Sequence, residues 1–183
     1  MLSSTLMRAG ATAALCLYTA GALAAGAHGS HHGADIGRPG EAERATRTVE
    51  VVMYENYYEP ENIAVAAGET VRFRVRNAGA LVHEFSIATP AMHAAHQGQM
   101  RMLQEHGVLL PDRIDREAAK AMEASMGHGM HDEANTLMLE PGQSAEVVWT
   151  FPAAAAAVIE FGCNVPGHYD SGMVGRIDLG GGS

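Results

Sequence analysis

A short stretch near the C-terminal end, Glu160-Phe161-Gly162-Cys163-Asn164-Val165-Pro166-Gly167-His168-Tyr169-Asp170-Ser171-Gly172-Met173, carries the most reactive chemistry in the chain. Cys163, His168 and Met173 stand at C-x4-H-x4-M, so one turn between two predicted strands offers a thiolate, an imidazole and a thioether. Gly167 and Gly172 let that turn curl until the three side chains converge. His83 is a fourth candidate, far upstream in sequence but at the start of a strand that can end beside the same turn. Two imidazoles and a thiolate in a plane, with a weak axial thioether, suit copper in both oxidation states. Structural zinc sites usually supply more thiolates and do not use Met. A cysteine protease needs an exposed thiolate, a His base and a third orienting group, and nothing around Cys163 favours that arrangement.

The cysteine count narrows this further. The chain of 183 residues has two cysteines, Cys16 and Cys163. Arg8 followed by an uncharged Ala- and Leu-rich stretch, ending at Ala22-Leu23-Ala24, reads as a secretory signal peptide over residues 1–24. The stretch is short and small-residue-rich for a membrane span, so no membrane association is expected after cleavage. Processing removes Cys16 and leaves Cys163 alone in an oxidising compartment, where an internal disulfide is impossible. The expected location is the periplasm. With 12 Lys+Arg against 21 Asp+Glu, a formal net charge of −9, the chain offers no phosphate-neutralising face, which excludes nucleic acid as a partner. The length fits one domain.

Residues 25–46 mix Gly, Ala, His and charge without periodicity and read as a flexible His-containing leader. From residue 47 the pattern becomes strand-like. In Glu69–Asn77, Val71, Phe73 and Val75 alternate with Arg72, Arg74 and Arg76, the signature of a half-buried strand. Further strands are expected over residues 48–54, Val82–Ile87, Ala145–Phe151, Val158–Gly162 and Val174–Leu179, separated by Gly, Asn-Ala-Gly and Pro-Gly turn signals. The fold class is therefore all-β, a β-sandwich spanning residues 47–180.

Residues 88–138 interrupt it with a Met/His-rich helical insertion between strands. Helices are expected from Pro90 to about His106 and from Asp112 to about Met126, with Asp112 or Asp115 as the second cap. Met92, His96 and Met100 recur at i, i+4, i+8, with His93 beside them. Met126-Gly127-His128-Gly129-Met130-His131 alternates soft ligands with glycines that oppose helix and core packing. His93, His96, Met100, Met126, His128, Met130 and His131 are thus candidate ligands of a second copper. For Met102, Leu103, Met122 and Met138 the expectation is packing of the helices on the sandwich.

The segments ENIAVAAGETVRFRVRNAGALVHEF, PGQSAEVVWTF and EFGCNVPGHYDSGMVGRIDL resemble the cupredoxin family of small blue-copper proteins over residues 47–180 apart from the insertion. That resemblance implies a Greek-key sandwich with type 1 copper on His83, Cys163, His168 and Met173, and His168 as the electron port. Many members follow the first His with Asn to tie the ligand loops together. This chain has Glu84 there, which implies a different copper geometry or potential. The insertion resembles that of periplasmic copper-tolerance cupredoxins. The implied function is copper handling and tolerance with a one-electron centre, served by copper ions and by a redox partner with a basic face. A dedicated soluble carrier to a c-type cytochrome or oxidase, with a purely structural insertion, is the alternative. An enzyme is not expected, because a copper oxidase or nitrite reductase needs a second centre and further His motifs.

Overall fold

A computed structural model describes residues 35–127 and 133–180. The expected signal peptide, the first part of the leader, and His128, Met130 and His131 lie outside the described residues. Ten strands and two helices follow in the order β1 (Arg38–Pro39), β2 (Arg47–Tyr54), β3 (Tyr57–Glu59), β4 (Asn62–Val65), β5 (Thr70–Asn77), β6 (His83–Ala88), α1 (Pro90–Glu105), α2 (Arg116–Met126), β7 (Thr136–Leu139), β8 (Ser144–Thr150), β9 (Ile159–Gly162) and β10 (Val174–Leu179). They form two five-stranded sheets, ordered β1-β8-β5-β2-β3 and β4-β10-β9-β6-β7. The β2–β5 and β4–β10 pairs are parallel and the others antiparallel.

The alternation of β5 dictates its placement. Val71, Phe73 and Val75 are fully buried, while Arg74 reaches Glu50 and Glu146 on the outer face and Arg72 also meets Glu146. Aromatic rings join the two sheets. Phe73 packs against Phe85 at 5.5 Å between centroids, Phe85 against Phe161 at 5.3 Å, and Tyr58 meets Phe161 edge-on at 5.0 Å. Because side chains alternate along a strand, Phe85 and His83 share the inward face of β6. Phe161 and Cys163 share the inward direction at the end of β9. The aromatic core therefore sets the floor beneath both donors.

Three short strands, β3, β4 and β7, were not legible in the sequence, since three or four residues are too few to show a period. The leader also ends earlier than position 46. Ile36 is buried, Arg38 and Pro39 pair with Thr150 and Trp149, and the Trp149 indole N–H donates to the Ile36 carbonyl at 2.8 Å. A Pro inside so short an edge strand and a Gly on either side of it hide it from pattern reading.

The insertion is helical as expected, with Thr89 capping α1 ahead of Pro90 and Asp115 capping α2 by accepting from the Glu117 and Ala118 N–H groups. It brings a second apolar cluster of Val82, Met100, Leu103, Val108, Leu109, Ile114 and Met122, with Met102 and Met138 partly buried against it. This cover explains why β6 is buried at every position, on both faces.

Close packing at one glycine gives a direct test of the sandwich. A Cβ on Gly175 of β10 would press on the Phe161 ring and lie 2.8 Å from the Glu61 carbonyl oxygen. Gly175→Ala is expected to cost about 1–3 kcal/mol, and so to lower the thermal unfolding midpoint by several degrees, roughly 2–4 °C per kcal/mol. An unchanged midpoint would contradict the packing described.

Candidate metal centre

His83 opens β6, Cys163 follows β9 directly, and Met173 precedes β10, so three strand ends of one sheet carry three of the four expected residues. The turn between them is fixed by its own backbone. Cys163 N–H donates to the Met173 carbonyl at 3.1 Å, Met173 N–H to the His168 carbonyl at 3.0 Å, and His168 N–H to the Val165 carbonyl at 2.9 Å. Gly167 and Gly172 adopt φ of 89° and 97°, the left-handed region this tight curl requires.

The side chains then meet. The Cys163 Sγ lies 3.4 Å from His168 Nδ1 and 4.0 Å from His83 Nδ1, and the two rings sit 5.0 Å apart. Among the described residues, His83, Cys163 and His168 are the one trio of His, Cys, Asp or Glu whose ligand atoms all lie within 4.8 Å of one another. His83, Cys163 and Met173 are wholly buried, and His168 is partly exposed.

The electrostatics suit a cation held by these atoms. Burial lowers both imidazoles, His83 to about 4 with the neighbouring His168 adding to the effect, so both stay neutral with lone pairs to offer. Burial also pushes the Cys163 thiol up to about 12, with the Glu84 carboxylate contributing. An isolated thiolate is disfavoured here, whereas one bound to a soft cation is compensated. The Glu84 amide N–H points at Sγ from 3.3 Å. His83 Nε2 is buried without a hydrogen-bond partner, and the nearest carboxylate oxygen, Glu55 Oε1, stands 3.9 Å away. A metal on Nδ1 leaves that N–H to orient toward Glu55, as ligating imidazoles commonly do. The donor set therefore fits copper.

The candidates for a second copper are placed differently from one another. His93 Nδ1 contacts the Asn164 side chain, and His96 Nε2 lies 3.3 Å from Glu84 Oε1. Met100 is fully buried in the apolar cluster of the insertion. Met126 ends α2 and is 42% exposed, beside the undescribed residues 128–132. The described candidates thus do not gather at one point. Glu55 and Asn164 escaped the sequence reading. Asn164 had a signal in its position directly after the cysteine, but Glu55 reaches the site only through the β2–β3 turn.

The comparisons with known proteins agree with this chemistry. A family model described as Cupredoxin-like domain matches residues 16–96. The copper-resistant cuproprotein CopI of Pseudomonas aeruginosa is 43% identical over 158 residues, covering 81% of this chain and 84% of that protein. CopI of Rubrivivax gelatinosus is 36% identical, covering 86% of this chain and 81% of the relative. Among solved structures, auracyanin B superposes with a TM-score of 0.55 at 20% identity, covering 80% of this chain and 97% of that one, a likeness of fold.

The low pKa of His83 has a consequence for the metal-free protein. A base whose folded pKa (about 4) lies below its ordinary 6.5 binds fewer protons when folded. Its contribution therefore favours the folded state less and less as pH falls from about 6.5 toward 4. The loss is about 2–3 kcal/mol at 1.36 kcal/mol per unit, after a discount for residual solvent screening. Urea unfolding of metal-free protein at pH 7 and pH 4.5 checks this, and His83→Gln should show a smaller difference between the two. An equal difference in both proteins would contradict it.

Proposed function

This chain belongs to the cupredoxin-like copper-resistance cuproproteins, and from that premise we propose that it is a periplasmic, non-enzymatic cupredoxin that handles copper through a type 1 centre on His83, Cys163, His168 and Met173. The observation that carries the reading is the convergence of one buried sulfur and two imidazole Nδ1 atoms at one end of the sandwich. Copper, when bound, supplies a one-electron Cu(I)/Cu(II) couple.

The protein's own residues do the rest. The Cys163 sulfur, 0% exposed and donated to by the Glu84 amide, is shielded from water and oxidants. The backbone bonds linking Cys163, His168 and Met173 hold the donors in one arrangement, so a change of oxidation state requires little movement. Met173 is buried at the strand end beside them and would offer its thioether to the copper as a weak ligand. His168, partly exposed on its turn, is the route by which an electron reaches a docked partner. The net charge of −9 steers association toward a partner with a basic face. Met126, His128, Met130 and His131 add copper-binding capacity outside this centre.

Two measurements test this reading. Cys163→Ser should abolish the intense thiolate-to-copper absorption of the copper-loaded protein, with a larger effect than Met173→Leu, and a band that persists in the Cys163→Ser variant would sink the assignment. Replacing Met126, His128, Met130 and His131 together by Ser should leave that band intact while lowering the copper bound per chain and the copper tolerance of cells that depend on the protein. If copper content and tolerance stay at the original level, the insertion serves structure alone and the electron-carrier reading is favoured.

A further inference from the structure

The Glu84 side chain is heavily engaged near the centre, and none of the hydrogen bonds of its carboxylate goes to an expected metal ligand. It lies on the face of β6 opposite His83 and is 0% exposed. Its Oε2 accepts from the Asn164 backbone N–H at 3.0 Å and from Asn164 Nδ2 at 2.6 Å, and its Oε1 faces His96 Nε2 at 3.3 Å. Its main chain is occupied too, with the carbonyl accepting from the Tyr58 hydroxyl at 2.6 Å and the amide aimed at Cys163 Sγ. The register that pairs Ser86 with Gly162 carries Glu84 alongside Asn164, so the contact follows from strand pairing.

A carboxylate that accepts three hydrogen bonds and has no exposure needs a countercharge close by. Among the described residues the cationic partner within reach is His96, on α1 of the insertion, and no Lys or Arg pairs with Glu84. Gln97 and His93, on the same helix face, both contact the Asn164 side chain. The inward face of α1 thus grips the carboxylate and the residue after the cysteine together.

We propose that His96 is the built-in countercharge of Glu84, and that the pair acts as a positioning and charge-setting device for the copper centre, delivered by the insertion. This rests on the proposed copper centre. The Glu84 charge lies one residue from His83 and one peptide from the thiolate, where a negative charge favours Cu(II) over Cu(I). The His96 charge opposes it. The hydrogen bond to Glu84 holds His96 above its ordinary pKa, against the burial that lowers it, and Glu133 adds to the raise. His93, on the same helix face, also feels the His96 charge, and burial is the main cause that lowers its pKa. This assigns His96 and His93 a task other than ligation of a second metal.

The test uses the copper-loaded full chain and the metal-free full chain, both at pH 5.5. Glu84→Gln removes a negative charge and keeps an acceptor for Asn164, while His96→Gln removes the positive charge and keeps a donor for Glu84. The midpoint potential should rise in the first variant and fall in the second, each corresponding to a several-fold change in the Cu(I)-to-Cu(II) affinity ratio. A merely structural role moves both potentials the same way or neither, and that result overturns the inference. In the metal-free chain, His96→Gln should destabilise wild type more than it destabilises Glu84→Gln, because only the first retains an uncompensated buried carboxylate. Absence of that coupling in urea unfolding also overturns the inference. A wild-type chain that shows no thiolate-to-copper absorption counts instead against the proposed centre, and the metal-free cycle still decides the ion pair.

Discussion

A sulfur atom that water cannot reach is the constraint around which this molecule is arranged. Cys163 at the end of β9 has no exposure, and its thiol is pushed up to about 12. Left to itself, such a group is a neutral, inert thiol in a small apolar space. Bound to a soft cation, the same burial becomes an advantage, because low local polarity strengthens the bond between metal and thiolate and keeps oxidants out. The aromatic rings of Phe85, Phe161 and Tyr58 pack against one another on the core side of this space. The backbone bonds of the 163–173 turn place Nδ1 of His168 above it. The sandwich is the means of holding a thiolate where solvation alone would not permit one.

The insertion answers a problem that the sandwich creates. A strand at the border of the site exposes its outer face, and here that face carries a carboxylate. Covering Glu84 with apolar side chains alone would bury an uncompensated charge, at a cost of several kcal/mol. The insertion divides its work accordingly. Met100, Leu103 and Met122 build a separate apolar cluster that anchors the helices on Val82, just before β6. His93, His96 and Gln97 supply polar contacts where the helix crosses Glu84 and Asn164. Methionine in this segment is thus packing material as well as a soft ligand, and burial separates the two uses. Met100 is inside, while Met126 remains 42% exposed at the helix end.

Legibility in the sequence followed the length scale of each interaction. The β5 alternation, the helix start at Pro90 and the C-x4-H-x4-M spacing are local patterns, and local patterns survive in one dimension. The strands β3, β4 and β7 are fixed by partners rather than by period, and β1 by its pairing with β8 and an indole-to-carbonyl bond across the chain. In the same way the helical spacing of Met92, His96 and Met100 was visible, but its meaning was not. That spacing describes the inner face of α1, and what lies opposite decides whether a histidine there binds metal or a carboxylate. Only tertiary contact with Glu84 supplies that information.

The substitution at position 84 shows how the two halves of the chain depend on each other. An Asn in that position can tie ligand loops with no net charge, so a bare sandwich can tolerate it. A Glu ties the same loops through Asn164 but introduces a buried charge, and so demands a helix bearing a proton donor at the right height. His96 meets that demand from the first turns of α1, where Thr89 and Pro90 fix the helix entry directly after β6. The distance along the chain from Glu84 to His96 is short enough that one strand, one cap and two helical turns settle it. The carboxylate and the insertion are therefore a matched pair, since the buried charge requires the histidine that faces it.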